Sequence, residues 1–314
     1  MLSRFVDAVA GRLAAEWLAV GTQGLVFWSG GLAALTWGTG QSPLGWLQDR
    51  PPGTRIVSGV AALLAVVLSG AAVHRLTPAV LPLLEGYGWP ARLHRAMTAR
   101  QDARRRRLRT DWTRLHRALG EDDGPGSAGA PPGAYDAFVR TDAALRRVPA
   151  APDRQLPTWI GNTLRSAELR PYDKYGLDAV KCWPHLWLLL PAETRTQLTT
   201  ARATLDSAVS AFIWSAGFVL WTPWAWWAAP VALAAAAGVH RCALRAPCAA
   251  FADLLEAAFD LHRFALYDAL RWPAPRDPAQ ERREGPRVTA YLWRGSGDPA
   301  PVFTAPTVPP EDRP

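Results

Sequence analysis

The sequence predicts an all-α membrane protein, with four transmembrane helices in two hairpins plus a cytoplasmic helical module, on three observations. The first is Ser207 to Val239, a run of 33 residues without one charged side chain. As a single helix it would be about 50 Å long against a hydrocarbon core of about 30 Å, so it must fold back. The turn is written as Trp221-Thr222-Pro223-Trp224-Ala225-Trp226-Trp227, a proline that cannot continue a helix among aromatics that favour the headgroup level. The second is that Leu18 to Gly38 and Ile56 to Val73 carry no ionisable side chain, so each can span the bilayer. The third is a charge asymmetry: residues 91–117 hold ten arginines, whereas the first hairpin loop, Thr39 to Arg55, holds only Arg50 and Arg55. Positive charge stays inside, which places both termini on the cytoplasmic face of the inner membrane.

Taken in order, residues 1–17 form an amphipathic interfacial helix, with Leu2, Phe5, Val6, Val9, Leu13 and Trp17 at helical spacing. Asp7, Arg12 and Glu16 interrupt the apolar centre a cleavable signal would need. Transmembrane hairpin 1 covers 18–76 and a basic cytoplasmic helical segment 77–120. The stretch 121–133, acidic and then rich in Gly, Pro and Ser, is a flexible linker. The cytoplasmic module covers 134–202: Thr158 is the N-cap of a helix over Trp159–Leu169, Gly176 punctuates, and Leu177–Leu190 is apolar around Pro184. Pro191 opens a helix that meets no breaker before Gly217 and enters the third span. Hairpin 2 covers 203–246, with the fourth span over roughly Trp224–Leu244. A cytoplasmic helical segment, 247–294, follows. Its Phe251–Trp272 stretch spaces Asp253, Glu256, Asp260, Arg263 and Tyr267 three and four apart, leaving a wide apolar face. A disordered tail, 295–314, closes the chain.

Composition agrees with alternating membrane and polar segments: 314 residues, 49% hydrophobic, mean hydropathy -0.05 and 16 tryptophans, many where an interfacial belt would place them. Of 35 basic residues only Lys174 and Lys181 are lysine, which with abundant Ala and Pro points to a GC-rich bacterial genome. Cys182, Cys242 and Cys248 are odd in number and lack metal-ligand or redox spacing, so they read as reduced thiols. The repeats Val73-His74-Arg75 and Val239-His240-Arg241 suggest either a duplicated hairpin or coincidence in an arginine-rich chain.

The 157–168 segment holds neither a GxGxxG nor a Walker pattern, no serine sits in GxSxG, and no catalytic residue, cofactor or metal is assigned. Asn162, Arg165, Glu168 and Asp178 form the candidate ligand or partner site. Gly161 and Asn162 permit unusual backbone geometry, while an i,i+3 ion pair explains Arg165 and Glu168 without function. Glu256 and Asp260 lie one turn apart, but His262 falls near the opposite side of the helix. A solvated or arginine-paired acidic stripe is the preferred reading, with the arginine-rich helix of the first half as its natural partner. Arg104, Arg105, Arg106, Arg107 and Arg109 fix topology and contact anionic lipid headgroups, with an acidic protein as the rival partner. Nucleic acid is disfavoured, because only Trp112 interleaves with them. The spans offer Gln23, Ser29, Ser58, Ser69 and Ser215 but no buried charge, which disfavours coupled transport. Gly21, Gly24, Gly30, Gly31, Gly59 and Gly70 permit close helix packing or self-association into a homo-oligomer.

Pro157-Thr158 through Gly161-Asn162, Leu164-Arg165 and Ala167-Glu168, then Tyr175-Gly176-Leu177-Asp178, Trp183-Pro184 and Leu189-Leu190-Pro191, resemble the central segment of uncharacterised actinobacterial multi-pass integral membrane proteins. Ala258 to Phe264 resembles their C-terminal helix, and Leu83-Leu84-Glu85-Gly86-Tyr87 their post-span segment. The resemblance implies architecture and carries no activity. The expected function is therefore a non-enzymatic anchor, scaffold or sensor presenting its module to a cytoplasmic protein. Two rivals stand: an oligomeric channel or membrane-perturbing effector, and a membrane-bound enzyme using the 157–178 segment.

Overall fold

The computed structural model describes residues 22–40, 45, 47, 50–119 and 133–304. The expected interfacial helix, the start of the first span, the linker up to residue 132 and residues 305–314 of the tail lie outside them. All regular structure among the described residues is helical. The chain divides into two compact units, one drawn from residues 1–83 and 202–247, the other from 84–201 and 248–314.

The first unit contains α1 (22–39), most of α2 (Pro52–Glu85), and the part of α7 (Ala192–Gly217) from Arg202. A 3-10 turn (Phe218–Trp221), α8 (Ala228–Gly238) and a π turn (Val239–Ala243) follow. Its packing is small residue against ring. A Cβ on Gly31 would lie 2.1 Å from the Trp221 ring, and one on Gly30 would lie 2.9 Å from Phe218, so only glycine admits these contacts. Phe27 meets Trp214 at 4.9 Å and Trp221 at 5.9 Å between centroids. Hydrogen bonds between helices are few and side-chain based: Trp28 Nε1 donates to Ser69 Oγ (3.0 Å), and Thr77 meets Ser210 at 3.1 Å between hydroxyls.

Among the described residues, two helices are long and apolar enough to cross a membrane, Pro52–Glu85 and Ala192–Trp221. Only 6% of the most apolar stretch of Pro52–Glu85 is buried. The fourth expected span, Trp224–Leu244, is a shorter helix. Pro223 and the turn after it occupy the chain up to Trp227, and the winding changes to a π turn at Val239. The 11 residues of α-helix and the 5 of the π turn together reach about 24 Å, short of a bilayer core of about 30 Å. The described part of the first span, α1, does not reach the length and apolarity of the other two.

The second unit is built on different principles. After Gly86 (φ 104°) and Gly88 (φ 74°) turn the chain, α3 (Ala91–Leu119) packs on α4 (Ala134–Arg146) through Trp112, whose Nε1 donates to Asp142 (2.9 Å) and whose ring faces Phe138. Helix α5 (Trp159–Tyr175) starts where the sequence predicts: Thr158 Oγ1 accepts from Gly161 N at 2.9 Å. It ends on Gly176, left-handed at φ 75°. Asp178 caps α6 (Ala179–Leu189). The expected Phe251–Trp272 helix is two, α9 (Arg245–His262) and α10 (Phe264–Leu270). Between them Arg263 turns its guanidinium to the Asp260 carbonyl and to Glu281 (2.6 Å). Asp277 then caps α11 (Pro278–Arg294). Leu177, Leu186, Phe259, Leu266, Tyr267 and Val288 form the core that α6, α9, α10 and α11 share. Residues 295–304 are irregular but tethered, with Thr304 N donating to the Arg271 carbonyl (2.8 Å).

Candidate functional site

The four residues singled out on 157–178 occupy three separate roles. Asn162 is fully buried, and its amide clamps one residue from both sides: Oδ1 accepts from Leu156 N and Nδ2 donates to Leu156 O, both at 2.7 Å. That geometry fixes the loop entering α5 and uses the side chain's best donor and acceptor. Arg165 and Glu168 pair with each other at 3.2 Å on a half-exposed surface. Asp178 accepts from Lys181 N and holds Lys181 Nζ at 2.8 Å. Burial would raise its carboxyl, but the hydrogen bonds and charge of Lys181 hold it below the usual range. The only pair these contacts bring together is Arg165 with Glu168.

The concentration of chemistry in this unit lies elsewhere, on Glu256 of α9. This carboxylate is 4% exposed and gathers three cations from two other helices. Oε1 accepts from Lys174 Nζ (2.7 Å) and Arg146 (3.2 Å), and Oε2 from Arg170. Lys174 also bonds both oxygens of Asp260 (3.1 and 2.8 Å), and Tyr175 donates to the same carboxylate at 2.8 Å. Arg147 adds Asp253 (2.6 Å). A pocket of about 360 Å3 opens beside these groups. Burial pushes Glu256 up, yet the hydrogen bonds and charges of Lys174 and Arg170 outweigh it and leave the carboxyl low. Burial likewise lowers Lys174, and its bonds to Asp260 and Glu256 reverse the sign, so it titrates high. With every member paired, the cluster ties α4, α5 and α9 together. The acidic stripe is arginine-paired, but its partners are Arg146, Arg147, Arg170 and Lys174; the expected partner helix, α3, supplies none of them. Those partners sit 82 to 110 residues from Glu256 in sequence, beyond any local periodicity.

The basic run on α3 splits. Arg105 turns inward to donate to the Val148 carbonyl (3.5 Å), and burial lowers its pKa. Arg104, Arg106, Arg107 and Arg109 are exposed; Arg106 pairs with Asp102, and Arg109 lies over the Trp112 ring at 5.1 Å.

The cysteines are free. Cys182 and Cys248 are buried, which pushes their thiols up to about 11 and about 12, away from nucleophilic thiolate. Among the described residues no group of three His, Cys, Asp or Glu side chains is placed to hold a metal ion. The first unit contains an apolar cleft of about 390 Å3 between α1, α7 and α8, lined by Gln23, Phe27, Trp214 and Phe218 among others. No protein-family model, curated protein or solved structure matches the chain.

Proposed function

We propose that the chain is a multi-pass inner-membrane protein acting as a non-enzymatic anchor or scaffold, its spans carrying a cytoplasmic helical module that holds or senses a protein partner. The observation that carries the reading is the unburied apolar surface of α2. Ile56, Val57, Val60, Leu63, Leu64, Val67 and Leu68 are all exposed. Leaving seven large aliphatic side chains in water costs on the order of 10 kcal/mol, which a lipid environment removes. The arginine asymmetry across this span favours cytoplasmic termini. The remaining spans of the two hairpins complete the four-span arrangement, and the resemblance to multi-pass membrane proteins points the same way. Within the module, the full pairing of Glu256 and the clamp made by Asn162 favour a rigid presenting surface over a reaction centre.

Alkaline carbonate treatment of membranes expressing the full chain tests the first half. The protein should stay in the pellet, and its release into the supernatant would remove the reading. A fluorescent protein fused to the C-terminus should be bright, whereas activity of a periplasm-dependent phosphatase at the same point would invert the topology. Crosslinking in native membranes should then capture a discrete cytoplasmic protein.

A further inference from the structure

The geometry points to one face of α3 as a docking surface for an anionic phospholipid bilayer, an inference that rests on the membrane reading above and names the surface the module lays on lipid. Helix α3 has two faces with opposite tasks. Trp112 and Arg105 turn inward, to Asp142, Phe138 and the Val148 carbonyl. On the other side Arg92, Arg95, Arg106, Arg107, Arg114 and Arg117 are all exposed. The intervening positions on that face are Ala99, Ala103 and Thr110, so nothing bulky stands between the guanidinium groups. From Arg92 to Arg117 the strip is roughly 38 Å long at 1.5 Å per residue.

Its acidic neighbours are Asp102 and Asp111, each already paired within the helix, to Arg106 and to Arg114 at 3.4 Å, which leaves six arginines against two aspartates. A shallow groove of about 490 Å3 follows the strip, floored by Ala103 and Thr110 and flanked by Arg106, Arg107 and Arg114. Such a surface, straight, cationic and low in relief, complements a plane of phosphates, each of which an arginine fork can hold. Two features choose lipid over nucleic acid. The only aromatic of the arginine-dense stretch, Trp112, is turned away from the strip, so bases would find no ring to stack on. The strip also begins only seven residues after the end of α2, the most apolar helix of the chain, so a bilayer is tethered within reach and the encounter is intramolecular.

The test uses the full chain with its exposed cysteine removed (Cys242→Ser) and an environment-sensitive dye on Ala99→Cys. The protein is reconstituted into phosphatidylcholine vesicles with and without phosphatidylglycerol. With the anionic lipid the emission should shift to the blue and be quenched by brominated acyl chains. High salt should reverse both effects, because 1 M salt shortens the screening length to about 3 Å. Arg106→Gln, Arg107→Gln and Arg114→Gln should each lower the docked-to-free ratio about fivefold. A dye on Asp153→Cys should report the same emission in both lipids.

Identical Ala99→Cys emission in the two vesicle types, from protein that still resists carbonate extraction, overturns the docking surface and leaves the membrane reading standing. Extraction by carbonate removes the membrane reading itself. A blue shift produced by a single-stranded oligonucleotide or an acidic peptide on neutral vesicles, and absent with phosphatidylglycerol, overturns the proposal in favour of that class of partner.

Discussion

The two units solve the same problem, holding helices together, with different chemistry. In the first, contacts are glycine against ring, as at Gly31 with Trp221, and side-chain hydrogen bonds between helices are as sparse as Trp28 to Ser69. Large aliphatic side chains such as Leu63 and Leu68 face outward. In the second, aliphatic and aromatic side chains turn inward to Phe259 and Tyr267, and charged groups converge on Glu256. On the membrane reading proposed above, the difference follows from solvent: where the surroundings are apolar, burying apolar surface gains nothing and close packing must do the holding; where they are aqueous, burial dominates.

The sharpest way to break the contrast is Glu256→Ala. Removing the one carboxylate that Arg146, Arg170 and Lys174 share leaves the largely buried Arg170 without a carboxylate partner and Lys174 with Asp260 alone, and the second unit should lose roughly 3–5 kcal/mol. Limited proteolysis would show this as new cuts in α4 and α5 while α2 stays intact.

Alkaline titration ranks next. Cys182 is raised from 9.0 to about 11 by burial, so the folded state keeps a proton the unfolded chain gives up. Its contribution is fully present below pH 9 and is lost as pH climbs through 11, about 2–3 kcal/mol in all. Lys174 and Tyr175, also raised, act in the same direction above pH 10. Glu256, depressed, gives stability that is present above pH 4.5 and lost as pH falls below it. Unfolding midpoints should therefore fall on the alkaline side, and Cys182→Ala should flatten that limb; equal slopes in the two proteins would count against the burial.

Gly31→Ala sharpens the other side. Its methyl would meet the Trp221 ring, and the first unit should lose roughly 1–3 kcal/mol, read as a lower melting temperature in detergent with the Glu256 cluster unaffected. The smallest effect belongs to Arg165→Ala, which removes a half-exposed i,i+3 pair and should change stability by no more than about 0.5 kcal/mol.

Local signals were legible because they are local. Thr158 caps α5 and α7 ends at Gly217, as composition and spacing foretell, whereas α5, expected to stop at Leu169, runs on through Pro171 to end on Gly176. The start of α11 is a local signal too: Asp277 followed by Pro278 is an N-cap and first-turn pair, and Asp277 Oδ1 accepts from Gln280 N at 2.8 Å. The Glu256 cluster was not available, since its partners come from 82 to 110 residues away and each alone resembles an ordinary surface charge. Arg105 shows the same limit within a single run: of four consecutive arginines it is the one turned inward, to the Val148 carbonyl just past α4. Absence of charge over Trp224–Leu244 marks apolar length and says nothing of the turn through Trp227 or the π turn at Val239, so it could not show how short a regular α-helix the stretch holds.

The ring cluster of the first unit gives the protein its own optical gauge. Trp214 is only 7% exposed among other aromatics, whereas Trp37 and Trp226 stand 71% and 76% exposed. Light emitted by the enclosed indole reports on the interior, and the outward pair registers whatever surrounds the unit. If the proposed membrane reading holds, a change of lipid recolours one population and leaves the other dark to it, with no dye attached.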